Sequence, residues 1–178
     1  MKYALLFILL SFFSCKNEKS DIEKSDPVVA ETVTKTSPDI VLDVFDFNQL
    51  EPLLHKTDDK TYVINFWATW CAPCVKELPF YEKLQEVYAV ENVEVILVSL
   101  DFPKQFDSKL KPFIKDKNIK SRVIALNDMD SNRWIPLVSE AWTGAIPATL
   151  IYNKDKKQFY EKSFEYKELE TEVKQFLK

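Results

Sequence analysis

Cys71 and Cys74 stand three residues apart in the run Trp70-Cys71-Ala72-Pro73-Cys74. A β-branched and aromatic stretch precedes them and a helix-patterned stretch follows, so the pair falls at a strand-to-helix junction. The spacing puts both sulfurs in the first helical turn. Unpaired backbone N–H groups and the helix dipole favour an anion there and lower a thiol pKa. A thiolate at Cys71 would attack a disulfide, and Cys74, facing inward, could attack the resulting mixed disulfide and release the reduced product. Pro73 suits the first turn, where its missing N–H costs little. Glu77 follows Cys74 at i+3 and shares its helical face. It is either a solvated helix glutamate or a partly buried carboxylate that takes the proton of Cys74.

A Cys-x-x-Cys pair can also be half of a zinc site or a structural disulfide. A four-cysteine zinc site needs a second pair, and the only other cysteine is Cys15. A c-type haem attachment needs histidine after the second cysteine, and that position is Val75. An average chain of this length carries about 12 glycines, whereas this one has Gly144 alone. Glycine-rich nucleotide loops and a G-x-S-x-G elbow are therefore excluded. The single histidine, His55, excludes H-E-x-x-H zinc chemistry and reads as a surface residue. A net charge of −4, with only Arg122 and Arg133 as guanidinium groups, gives no footprint for nucleic acid. No metal or cofactor is expected.

The elements that must position the cysteines follow from pattern. Asp39 to Phe47 alternates like an edge strand, and Asn48 to Lys56 suggests a short helix limited by Pro52. Thr61 to Trp67 and Val93 to Leu100 read as buried strands. Pro73 to Val90 has helical spacing, with Pro79 expected to kink it. Phe106 to Lys117 reads as a helix interrupted by Pro112, Arg122 to Leu126 as a strand, and Ser131 to Trp142 as a helix. Pro147 to Tyr152 and Gln158 to Ser163 form a hairpin around residues 153–156, and Tyr166 to Leu177 closes the chain as an amphipathic helix. Alternating strands and helices ending in a hairpin argue for an α/β domain over residues 39–178.

The segment Phe66-Trp67-Ala68-Thr69-Trp70-Cys71-Ala72-Pro73-Cys74 resembles a thioredoxin-superfamily active site. Its continuation, Val75-Lys76-Glu77-Leu78-Pro79, resembles the TlpA/ResA branch of extracytoplasmic thioredoxins. Gly144-Ala145-Ile146-Pro147-Ala148-Thr149 resembles the family's cis-proline loop. The resemblance implies a thioredoxin-like fold with a central mixed sheet flanked by helices, an N-terminal extension and a central insertion of the TlpA type, between Asp101 and Trp142. It implies a cis Pro147 that holds the Ile146 backbone for pairing with an extended substrate, with Trp70, Ala72 and Pro73 completing the contact surface. Cytoplasmic thioredoxins use a buried Asp in the preceding strand for proton transfer. The matching position is Asn65, which leaves that task to Glu77. Asp101 and Phe102 are possible rim contacts, and Trp67, Trp134 and Trp142 read as packing residues.

Lys2 followed by the apolar run Tyr3 to Phe13 resembles a signal peptide over residues 1–14, and its 11 residues fall short of the roughly 18–20 of a membrane span. Ser14-Cys15 resembles a lipobox, with Phe12 where leucine is usual. The implied arrangement is a lipidated Cys15 and a polar tether over residues 15–38. The expected protein is a membrane-tethered, periplasm-facing lipoprotein, favouring the outer membrane, that acts as a thiol-disulfide oxidoreductase. Its implied partners are disulfide-bonded protein substrates and a membrane electron donor of the DsbD/CcdA type. Relatives of this kind often serve cytochrome c maturation. The alternatives are a peroxiredoxin-like peroxidase, which would want Thr at residue 68 and a nearby Arg, and a non-enzymatic lipoprotein that uses the fold as a binding module.

Overall fold

Thr61–Trp67 has seven consecutive buried residues, so this strand has no solvent face and the sheet is built outward from it. The computed structural model describes residues 40–177. The expected signal segment, Cys15 and the tether lie outside the described residues.

Six strands form one sheet: β1 (Asp43–Phe45), β2 (Thr61–Trp67), β3 (Val93–Ser99), β4 (Arg122–Leu126), β5 (Ala148–Tyr152) and β6 (Lys157–Tyr160), in the order β1-β4-β3-β2-β5-β6. The first four run parallel to one another, whereas β5 lies antiparallel to β2 and β6 antiparallel to β5. Continuous apolar runs suit strands covered on both faces. On one face Val63 and Trp67 pack with α2 (Ala72–Tyr88), α3 (Lys111–Asp116) and α5 (Tyr166–Lys174). On the other, Tyr62, Ile64 and Phe66 pack with α1 (Phe47–Leu50) and α4 (Ser131–Val138).

Several boundaries differ from the sequence reading. The first strand is only Asp43–Phe45, because Asp46 leaves it to cap α1 in a capping box with Gln49. A 3₁₀ turn, Glu51–Leu54, carries Pro52 at its start. The region around Pro112 opens into a π turn, Phe106–Leu110, in which the Lys111 N–H reaches back to the Phe106 carbonyl. Pro112 brings no N–H to an α-helical bond, which accounts for the wider turn before it. α2 runs from Ala72 to Tyr88 with Pro79 inside it.

α4 ends at Val138, four residues short of Trp142, because Ser139 adopts extended backbone. That turn tucks the Trp142 ring against Phe66, Trp134 and Phe159. Its indole N–H donates to the Ala145 carbonyl at 2.8 Å, tying this core to the loop before β5. Trp67, Trp134 and Trp142 are all buried packing residues, as the sequence suggested. Among the described residues no helix is long and apolar enough to cross a membrane.

Truncating Trp142 to Ala removes a buried indole and the anchor of this loop. The expected loss is about 3–5 kcal/mol, read as a lower urea midpoint at unchanged m-value.

Candidate active site

The parallel strand β2 ends at Trp67, and β5, running the opposite way, begins at Ala148, with Phe66 opposite Ala148 in the register. The loop leaving β2 and the loop entering β5 therefore meet at one edge of the sheet. The first carries the cysteines into α2 and the second carries Pro147.

Cys71 is the N-cap of α2, with its N–H donating to the Ala68 carbonyl at 3.1 Å. Its sulfur accepts the Cys74 backbone N–H at 3.3 Å, as a capping oxygen would. The two cysteines form a disulfide, with Cα atoms 5.2 Å apart. Cys71 is 6% exposed and Cys74 is fully buried, so an incoming group reaches Cys71 first. The Ile146–Pro147 peptide bond is cis, and the Ile146 carbonyl oxygen lies 3.7 Å from Cys71 Sγ. Pro147 is buried and Ile146 half-buried, while Trp70, Ala72 and Pro73 are exposed around the sulfur. Trp70 stacks on Phe102 at 6.5 Å between centroids, and both rings are about half exposed. Beyond Phe102 lies a shallow cavity of about 200 Å³, walled by Leu100, Pro103, Leu126, Met129 and Trp134.

Gly144, at φ +97°, takes the left-handed conformation on the way into this loop, and a Cβ there would stand 3.2 Å from Ile135 Cδ1.

Glu77 sits one turn beyond Cys74 and is 1% exposed. Its Oε2 accepts the Phe164 N–H at 2.8 Å, and its Oε1 accepts the Asn65 amide at 3.1 Å. Burial raises its pKa from 4.5 to about 7, against the opposing pull of the Phe164 N–H, the Asn65 amide and the Tyr81 hydroxyl. Asn65 also lies within reach of the Ala148 carbonyl and the Thr149 hydroxyl, and Thr149 shares a 2.7 Å bond with the Tyr81 hydroxyl. Burial likewise pushes the Tyr81 hydroxyl well above its usual range. The Asn65–Glu77–Tyr81–Thr149 network is thus a buried polar layer beneath the disulfide. Sequence reasoning noticed Asn65 only as a missing carboxylate. Thr149 stands directly opposite Asn65 in the register, a pairing across 84 residues that no local pattern marks.

Asp101 is not a rim contact. It is 2% exposed and holds the loop before Cys71 from below, accepting the Thr69 N–H, the Thr69 hydroxyl and the Ser99 hydroxyl. The Ser-x-Asp spacing at the end of β3 was the readable hint. Phe102 does face the rim. His55 is exposed, away from these contacts. Among the described residues no cluster of His, Cys, Asp and Glu could hold a metal ion.

The chain is similar to known proteins in sequence and in fold. The AhpC/TSA family model matches residues 33–158. The thiol-disulfide oxidoreductase ResA of Geobacillus thermodenitrificans is 37% identical over 78 residues, covering 42% of each chain. A ResA of Bacillus cereus is 26% identical over 125 residues, covering 70% of this chain and 66% of the relative. The chain thus spans between 42% and 66% of the length of these two curated relatives. Among solved structures, a secreted Mycobacterium tuberculosis disulfide oxidoreductase homologous to E. coli DsbE superposes with a TM-score of 0.53 at 19% identity, over 70% of this chain and 85% of that one. That likeness speaks to the fold, a mixed sheet flanked by helices of the thioredoxin type.

The raised Glu77 pKa has a thermodynamic signature. Between pH 4.5 and about 7 the folded protein keeps a proton that the unfolded chain has released. Stability from this group is therefore fully present below pH 4.5 and lost as the pH rises toward 7. The loss amounts to about 3 kcal/mol. Urea unfolding of the oxidised protein across this range should show that decline in the wild type. Glu77→Gln, which carries no titrating proton, should not show it.

Proposed function

This chain belongs to the AhpC/TSA family of the thioredoxin superfamily, and from that membership and the site geometry we propose that it is a thiol-disulfide oxidoreductase working through Cys71 and Cys74. The observation that carries this reading is the Cys71–Cys74 pair on the N-terminus of α2, with a near-neutral carboxylate buried one turn behind it. In the reduced protein the Cys71 thiolate attacks one sulfur of a substrate disulfide. The substrate S–S bond breaks, its other sulfur leaves as a thiolate, and a Cys71–substrate disulfide forms. Glu77 then takes the proton of Cys74. The Cys74 thiolate attacks Cys71 Sγ, expelling the second substrate thiolate. Two electrons pass to the substrate, and the protein is left as the internal disulfide. Trp70, Ala72, Pro73 and the Ile146 backbone beside Pro147 receive the substrate chain.

Net reduction is the favoured direction because Pro73 stands where strongly oxidising relatives place histidine, which stabilises the reduced thiolate. The substrates are disulfide-bonded proteins, including cysteine pairs reduced during cytochrome c maturation. Reducing power comes from a membrane donor of the DsbD/CcdA type. The working location is extracytoplasmic, with residues 1–14 as signal, Cys15 lipidated, residues 15–38 as tether and the outer membrane as anchor. Mass spectrometry of the mature N-terminus tests the lipid. The Asp101 to Trp142 region corresponds to the TlpA-type insertion.

The peroxidase reading has less support. Residue 68 is Ala, and the two arginines are engaged elsewhere, Arg122 with Asp43 and Arg133 with Asp128.

Expressing Cys74→Ala in the host should trap proteins on Cys71 as stable mixed disulfides, visible on non-reducing gels and absent from a Cys71→Ala control. Equal capture by both variants would contradict the assignment. A Cys71→Ser, Cys74→Ser protein that retains full function in the host would instead favour a binding module.

A further inference from the structure

The two loops that meet at the disulfide are held in the same way. Thr69, two residues before Cys71, donates its N–H to Asp101 Oδ2 at 3.0 Å and its hydroxyl to Asp101 Oδ1 at 2.5 Å. Thr143, four residues before Pro147, donates its N–H to Glu161 Oε2 at 3.2 Å and its hydroxyl to Glu161 Oε1 at 2.6 Å. The Ala145 N–H joins the same Oε1 at 2.8 Å. Asp101 lies just beyond β3 and Glu161 just beyond β6. In the sheet order these strands flank β2 and β5, whose loops carry the site. Each outer neighbour therefore sends one carboxylate to the loop of the inner strand.

Asp101 is buried with no lysine or arginine on it among the described residues, an arrangement that only good hydrogen bonds make tolerable. Two of its bonds go to Thr69, and the adjoining Phe102 stacks on the adjoining Trp70. Residues 101–102 thus grip residues 69–70 as a unit, on the segment that delivers Cys71 to the helix N-terminus.

We infer that Asp101 and Glu161 are positioning residues with separate duties: Asp101 sets the reactivity of Cys71, and Glu161 sets the capture of substrate by the Ile146–Pro147 loop. This rests on the oxidoreductase reading above. The Cys71 thiolate gains from the helix N-terminus only while its sulfur stays over the Cys74 N–H. Loosening Thr69 costs that placement. Loosening Thr143 and Ala145 frees the Ile146 backbone but leaves the Cys74 N–H on the sulfur, the contact that favours the thiolate.

The test uses the reduced full-length protein. The rate of Cys71 alkylation by iodoacetamide is followed against pH, and kcat and KM are measured for a disulfide-bonded peptide, with dithiothreitol returning the internal disulfide to the dithiol and its direct reaction with the peptide subtracted. Asp101→Ala should move the alkylation midpoint upward and slow alkylation at pH 7 by about tenfold, the scale of one charge-assisted hydrogen bond. Asp101→Asn can still accept the Thr69 N–H and donate to its hydroxyl, so it should stay within about twofold of wild type. Glu161→Ala should raise KM by about tenfold with the alkylation midpoint and kcat unchanged.

Three results overturn the inference. One is an unmoved midpoint in Asp101→Ala. Another is an Asn variant that shifts as far as the Ala variant, which would make charge the cause. The third is a Glu161→Ala protein that loses kcat at constant KM. If Asp101→Ala does not fold, Thr69→Val removes only the hydroxyl bond. It should shift the midpoint in the same direction, and no shift would overturn the Asp101 assignment. A wild type that alkylates as expected yet never turns over the peptide would count against the oxidoreductase reading. The alkylation midpoints would then still decide the Asp101 half of the inference.

Discussion

The antiparallel pairing of β5 on β2 brings two oppositely directed chain segments to one edge of the sheet, and the rest of the site follows from it. β2 runs parallel to β3 on one side and antiparallel to β5 on the other. A wholly parallel sheet would have put the start of β5 at the far edge. Here the end of β2 and the start of β5 coincide, so Cys71 lies against the Ile146 carbonyl and Asn65 lies opposite Thr149. Both faces of β2 are covered by side chains, which fixes the register. A slip of one residue would turn Asn65 toward the layer under α1 and α4 and Phe66 toward Glu77.

Beneath the sulfurs that register builds the polar layer. A buried carboxylate is costly, and Glu77 has no cation beside it among the described hydrogen bonds and ion pairs. It is held by a backbone N–H and an amide, which lower its pKa less than burial raises it. The balance lands near neutrality, where a carboxylate can both take and return a proton. Asn65 suits this role better than a second acid would. An amide offers a donor and an acceptor, so it pairs with Glu77 in either protonation state, whereas two carboxylates would compete for one proton.

The chemistry of the site was legible where it is local. Cys-x-x-Cys, Pro73 and Glu77 fall within two helical turns, and the face shared by Cys74 and Glu77 follows from helical period alone. The central strands were legible because Thr61–Trp67 and Val93–Ser99 are β-branched and apolar without alternation. What sequence could not supply were partners distant in the chain. The Phe164 N–H reaches Glu77 from 87 residues away, and Thr143 finds Glu161 across 18. Its place after β3 puts Asp101 at the sheet edge bearing Cys71, but strand parity does not tell whether a residue past the strand end turns outward or folds under a neighbouring loop. The end of α4 departs from the helical pattern for a similar reason. Helical pattern continues through Trp142, yet tertiary packing of that ring against Phe66 and Phe159 outweighs it.

The central claim is that Cys71 and Cys74 form a reversible, reducing dithiol. Its most direct test is the equilibrium reduction potential of the pair in thiol redox buffers, read from the fraction oxidised by mass spectrometry. With proline before the second cysteine, the expected value lies close to the about −270 mV of thioredoxin-type reductants. A potential near the about −120 mV of strong oxidants, or a pair that does not exchange with the buffer at all, would contradict it.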